Sequence, residues 1–170
     1  SIYLRKKHTG ISIHKLSKKV DSGEMIYLKK IRLSKSINCY EAETLINSNI
    51  ADVLNNLFNK KKVKYKSIPE KNYENFNKVK SFLNLNEKFS NIEANLRALK
   101  PYTGLKYYYK DKLICIWEIE KIRKNTSELS GLVKERDSSG NLVVTCKDYY
   151  CKITKILNFG KITKSSKFSL

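Results

Sequence analysis

Between Thr9 and Leu16 apolar and polar residues alternate, which predicts a strand with Ile11, Ile13 and Leu16 turned toward a core. The polar stretch from Ser17 to Gly23 turns the chain. Met25 to Leu33 then predicts a second strand, with Ile26, Leu28 and Ile31 as its apolar positions. From Tyr40 to Phe58 the period changes. Ala42, Leu45, Ile46, Ile50, Val53, Leu54 and Leu57 recur at three- and four-residue spacing, the mark of one amphipathic helix. Ser36 or Asn38 can cap it, and Glu41 and Glu43 suit the positive end of its dipole. From Asn59 to Lys80 apolar residues thin out among Lys and Asn, and Pro69 favours an extended or turned backbone; this reads as a linker. Ile92, Leu96 and Leu99 predict a short helix from Asn91, stopped before Pro101. Beyond Gly104, residues 107–109, 113–119, 131–133, 142–146 and 149–157 form short apolar runs. Lys110-Asp111 and Ser138-Ser139-Gly140-Asn141 supply the turns between them. Closely spaced short strands predict a small barrel or curled sheet. The pattern thus divides the chain into an α/β piece at 1–60, a basic linker at 61–88 and a β domain at 89–170.

Composition narrows the class. Hydrophobic residues make up 41% and charged residues 30% of the 170, with two prolines and six glycines, which excludes a disordered tail or a collagen-like repeat. No apolar run reaches the roughly 18 residues a membrane-spanning helix needs, and residues 1–10 lack the apolar core of a signal peptide. The absence of an initiator Met predicts a fragment. Thirty-five Lys and Arg against 16 Asp and Glu leave a formal charge of +19, which favours polyanionic partners. Thirty of those cations are Lys, however, and 16 Asn accompany them, a usage that an AT-rich genome produces with no nucleic-acid role. Both readings of the charge stay open. Cys39, Cys115, Cys146 and Cys151 form no C-x-x-C pair and lie far from His8 and His14, so the expectation is no metal site and free buried thiols.

Two stretches carry more. Thr9-Gly10-Ile11-Ser12-Ile13, followed by Asp21-Ser22-Gly23-Glu24-Met25-Ile26, resembles the T-G-V-T-I…D-[TS]-G-[DE]-I signature of formyltransferases that use 10-formyltetrahydrofolate. Arg97-Ala98-Leu99-Lys100-Pro101-Tyr102-Thr103-Gly104 resembles the R-A-x-x-P-x-x-G segment opening their C-terminal domain, and Leu113 to Ile119 resembles that domain's first hairpin. The resemblance implies a Rossmann-like catalytic domain, of which residues 1–60 are the C-terminal part, followed by a small OB-like β-barrel domain. The family's Asn-x-His-Pro motif would lie upstream of Ser1.

By the same resemblance Asp21 is catalytic. Formyl transfer needs a neutral amine to attack and an oxyanion to be stabilised; a carboxylate beside a His raises its basicity and fixes its tautomer. Without the resemblance, Asp21-Ser22-Gly23 reads as ordinary turn formers. Ser22 and Gly23 would approach the folate, Gly23 through a positive φ that leaves room for the cofactor. Arg97, Lys147, Lys161 and Lys164 are candidate acceptor-binding residues, each also readable as a structural or solvated charge. Trp117 and Tyr107-Tyr108-Tyr109 read as core aromatics or as stacking surfaces, and His14 as a structural residue within its strand.

Members of the family acting on initiator methionyl-tRNA are the nearest in kind. Members acting on a nucleotide-linked amino sugar stand beside them, because Phe82 to Lys88 lacks the I-D-W element usual in the tRNA enzymes and Tyr102 stands where they often carry Trp. A non-catalytic basic RNA-binding remnant is the third alternative. The resemblance also implies a monomer, if complete, acting in the cytoplasm, or in an organelle if the source is a eukaryote. Alone, these residues are expected to be inactive.

Overall fold

The computed structural model describes residues 1–18, 23–59, 80–125, 128–158 and 161–167. The chain divides into two compact units, residues 5–78 with Ser1, and residues 79–170 with residues 2–4.

Among its described residues the N-terminal unit is a hairpin followed by two helices. β1 (His8–His14) pairs antiparallel with β2 (Met25–Arg32), Ile11 opposite Lys29 and Ile13 opposite Tyr27. Gly10 lies where the strands run close: a Cβ there would stand 2.7 Å from the Lys29 carbonyl oxygen. α1 (Cys39–Ser48) starts in a reciprocal capping box. The Asn38 side chain accepts the Glu41 N–H at 3.0 Å, and the Glu41 carboxylate accepts the Asn38 N–H at 2.9 Å. The single helix expected over 40–58 is in fact broken at Asn49, where α2 (Ile50–Phe58) begins. There the Asn49 side-chain amide donates to the Leu45 carbonyl at 2.7 Å, and its backbone N–H reaches Ile46 three residues back. A short polar side chain competing for helix carbonyls tightens and ends the turn. Among the described residues of this unit Ile31, Leu33, Ile37, Ala42 and Val53 are buried, while Leu28, Ile50, Leu54 and Phe58 remain exposed.

The C-terminal unit has α3 (Phe89–Leu99), β3 (Leu105–Tyr109), β4 (Lys112–Lys124), β5 (Val133–Arg136), β6 (Leu142–Thr145), β7 (Tyr149–Asn158) and β8 (Lys161–Lys164), ending in a 3-10 turn at Ser165–Lys167. All strand pairs are antiparallel, in the order β3-β4-β7-β6-β5. β7 is central: one edge takes β4, and the other takes β6 along 150–153 and β8 along 155–158. The register of β4 on β7 slips around Trp117 and again after Lys121, and such bulges bend a strand. The inward side accordingly changes parity, from Ile114 and Ile116 to Ile119.

The expected barrel does not close. Among the described residues no ladder joins β3 to β5, so the sheet is a curled open one. Phe89, Ile92 and Leu96 of α3 share one core with Leu105, Ile116, Val144, Ile153 and Ile156 of the sheet. Residues 80–88, assigned by composition to the linker, are folded into this unit: Leu85 is buried, and residues 81–83 bond to Lys106 along the free edge of β3. The two tight turns are of the expected chemistry. Lys110 and Asp111 both adopt positive φ, and Gly140 (φ 79°) completes a turn whose amides of Ser139 and Asn141 bond the Asp137 carboxylate.

Candidate functional site

The β1–β2 hairpin positions the first candidate. At the end where its connecting loop begins and returns, the Lys15 N–H donates to the Glu24 carbonyl at 3.0 Å, and the Lys15 ammonium meets the Glu24 carboxylate at 3.1 Å. Beside them His14 bridges two chain segments, Nδ1 at 3.3 Å from the Gly23 carbonyl oxygen and Nε2 at 3.0 Å from Ser12 Oγ. The segment between residues 15 and 24 therefore leaves and re-enters the hairpin at one clamped point. Asp21 and Ser22 lie on it, outside the described residues.

Gly23 corrects the sequence reading. Its φ is not in the left-handed region; instead, a Cβ at this position would collide with the Lys15 carbonyl oxygen. Glycine is needed here for close approach between two stretches of backbone. His14, read as structural, does hold structure, and the backbone it holds is that of the candidate loop.

In the C-terminal unit Arg97 turns back along its own helix, Nε donating to Glu93 at 2.7 Å, with only 14% of the side chain exposed. Lys147, Lys161 and Lys164 are exposed. They do not form one surface. Lys147 lies two residues before the first residue of β7 and Lys161 pairs with its last, roughly 30 Å apart at about 3.3 Å per strand residue. Between them the basic side chains of β7 are neutralised from β4: Lys152 pairs with Glu120 at 3.1 Å and Lys155 with Glu118 at 2.9 Å. Burial pushes the Glu118 carboxyl up, but hydrogen bonds from Lys155 and Thr154 outweigh it and hold the group below its ordinary value. Lys155 and Lys164, opposite each other in register, line a polar groove of about 440 Å³ with Glu118, Glu120, Ser139 and Asn141.

The sheet does gather cations at its other end, which the sequence reading passed over. Lys121, Arg123 and Lys124 on β4 stand opposite Cys151, Tyr150 and Tyr149. Lys121 lies over the rings of Phe89 and Tyr149 at 5.0 and 4.8 Å, and Arg123 over Tyr150 at 4.5 Å. Asn125 bonds the Asp148 carbonyl, which brings the turn bearing Lys147 to this end. The run Glu120-Lys121-Ile122-Arg123-Lys124 was the available signal. Trp117 is half-buried with the Lys100 ammonium 5.6 Å from its ring, and burial lowers the pKa of Lys100. Tyr108 is exposed and stacks on Phe82. Among the described residues no cluster of His, Cys, Asp and Glu has metal-binding geometry, and no helix is long and apolar enough to cross a membrane.

Comparison with known proteins accords with this architecture. The chain is 27% identical over 156 residues to the methionyl-tRNA formyltransferase of Finegoldia magna, covering 88% of this chain and 50% of that protein. It thus spans about half the length of the methionyl-tRNA formyltransferases it matches. In fold it resembles HypX from Aquifex aeolicus, solved with tetrahydrofolic acid (TM-score 0.59, 11% identity, 98% of this chain, 30% of that one). It also resembles the N-formyltransferase of Helicobacter canadensis, solved with folinic acid and dTDP-3-aminofucose (TM-score 0.54, 14% identity, 89% and 57%). Formyltransferases of this kind use 10-formyltetrahydrofolate as formyl donor. The family model for the formyl transferase C-terminal domain matches residues 75–169, more than half of the chain, and the protein belongs to the formyltransferase family.

Proposed function

We propose that the chain is the C-terminal half of an enzyme that moves a formyl group from 10-formyltetrahydrofolate to the amino group of initiator methionyl-tRNA, in the cytoplasm. The 27% identity to a methionyl-tRNA formyltransferase, running through both units, carries this reading. In it, residues 1–60 complete a Rossmann-like catalytic domain. Asp21 belongs to the segment between Lys15 and Glu24, and its carboxylate would raise the basicity of an upstream His as the amine loses its proton. Ser22 and Gly23 lie nearest the folate. The C-terminal unit meets the acceptor, and the cationic end of β4, with Lys147, suits a phosphate backbone better than the neutralised middle of β7.

The 170 residues alone are expected to show no turnover, because no Asn-x-His sequence occurs in them. Joined to the upstream half, the enzyme is expected to formylate methionyl-tRNA and to lose roughly 10²–10⁴-fold in rate on Asp21→Asn. Formylation unaffected by that substitution would remove Asp21 from the reaction.

A nucleotide-linked amino sugar is the second acceptor to weigh, favoured by the likeness to the Helicobacter canadensis enzyme and by the Lys–Glu pairing along β7. A gel shift with tRNA separates the two. Salt-sensitive retardation, weakened by Lys121→Ala with Arg123→Ala, supports tRNA; no retardation at low salt supports the sugar.

A further inference from the structure

Cys146 and Cys151 have no part in formyl transfer, yet the fold brings their sulfurs within 3.3 Å and shuts both side chains from solvent. Cys146 follows the last residue of β6, and Cys151 stands on β7 opposite Val144. The distance is well outside the S–S bond length of about 2.05 Å and suits an S–H···S contact. The Cys146 sulfur also faces the Tyr149 carbonyl oxygen at 3.1 Å and the Asp148 carboxylate at 3.7 Å. The hydrogen bond shared with Cys151 lowers the Cys146 thiol against the opposing effect of burial, while the same contact, then burial, pushes Cys151 up. The two sulfurs are thereby held in contact, so that once one is oxidised the other is in place to attack it. Cys39 differs: burial and then the Glu43 carboxylate raise its thiol. Lys147 between them is exposed while both sulfurs are enclosed, so a peroxide reaches the pair as this turn opens.

The position has a mechanical consequence. Asp148, between the two cysteines, accepts the Phe89 N–H at 2.7 Å and so caps α3, whose own N-cap residue Lys88 makes no side-chain cap. The Lys147 N–H bonds the Glu87 carbonyl just before that helix.

We propose that Cys146 and Cys151 are an oxidisable dithiol, a modification site at which a peroxide produces an intramolecular disulfide across the turn that holds α3. The Cys146 thiolate attacks one peroxide oxygen; the O–O bond breaks, and the departing hydroxide takes a proton to become water. Cys146 is left as a sulfenic acid. The Cys151 sulfur then attacks the Cys146 sulfur, the S–S bond forms, and hydroxide leaves with the Cys151 proton as a second water. The dithiol loses two electrons and the peroxide gains them.

The test uses the full 170-residue chain, reduced, exposed to hydrogen peroxide, alkylated and digested with trypsin. Cleavage after Lys147 and Lys152 places the two cysteines on separate peptides. The expected product is a reducible cross-link between the peptide ending at Lys147 and peptide 148–152. It should persist in the Cys39→Ser, Cys115→Ser double variant. In Cys151→Ser, dimedone should label Cys146 as sulfenic acid. Cysteines 146 and 151 both alkylating fully after a peroxide dose that oxidises Cys115, or cross-links joining other cysteines instead, would overturn the proposal. Should Cys151→Ser not fold, the map of the unaltered chain and of the double variant decides alone.

Discussion

The two units are built from similar sequence patterns but bury them differently. In the C-terminal unit α3 lies on a six-stranded sheet, and Leu105, Ile116, Val144, Cys146, Cys151 and Ile153 are at most 1% exposed. In the N-terminal unit a two-stranded hairpin and two short helices bury far less. Val53 is enclosed, but α2 turns the stripe Ile50, Leu54 and Phe58 outward. Among the described residues no further strand joins this hairpin, and a two-stranded hairpin by itself is marginal in water. The lesson is that amphipathic periodicity tells which face wants burial, whereas the number of layers decides whether it gets it.

The largest expected effect probes that contrast. Ile153→Ala should cost about 3 kcal/mol in urea unfolding of the C-terminal unit, by lost burial plus the cavity left behind. Val53→Ala should cost about 1.5 kcal/mol, confined to amide exchange in α1 and α2. Val53→Ala lowering the stability of both units together would show that the contrast is false. Next come two glycines. Gly104→Ala sets a Cβ against the Ile116 carbonyl inside the sheet and should cost about 2 kcal/mol. Gly23→Ala meets the Lys15 carbonyl at the loop base, and should speed exchange of the Lys15 amide while leaving the C-terminal transition unmoved.

Helix caps make a finer test. Asp148→Ala should destabilise the C-terminal unit by about 1 kcal/mol, because the Phe89 amide loses its acceptor. Asn38→Ala should cost a similar amount, but only in local exchange of α1. Equal global effects from both would mean that the N-terminal unit unfolds with the other. The smallest effect is electrostatic. The Glu118 carboxyl is held below its ordinary value of 4.5, so its contribution is present above that pH and lost as pH falls through the depressed folded value. Lys155 and Glu118 are 48% and 35% exposed, so solvent screens the pair to under about 1 kcal/mol. Lys155→Ala should flatten the loss of stability below pH 4.5, and added salt should mimic it.

Much of the fold was legible in the sequence because it is local. Alternation marked β1 and β2, and the turn residues at 110–111 and 138–141 are where the chain turns. Even the bulge at Trp117 left a trace, in the shift of buried isoleucines from even positions to Ile119. The candidate site was legible only as motif, since His14 carries no sign in sequence that it will bond the Gly23 carbonyl.

What remained was decided in three dimensions. Whether the basic residues of β7 form a track depended on β4 lying beside them, over 30 positions earlier, with its glutamates in register. That α3 is capped by Asp148, 59 residues away, and that two cysteines touch, followed from strand order in the same way. Periodicity sets which side of an element faces inward, because that depends on backbone geometry within a few residues. Which charges, caps and thiols meet depends on strand neighbours distant in sequence, and only the folded sheet brings those together.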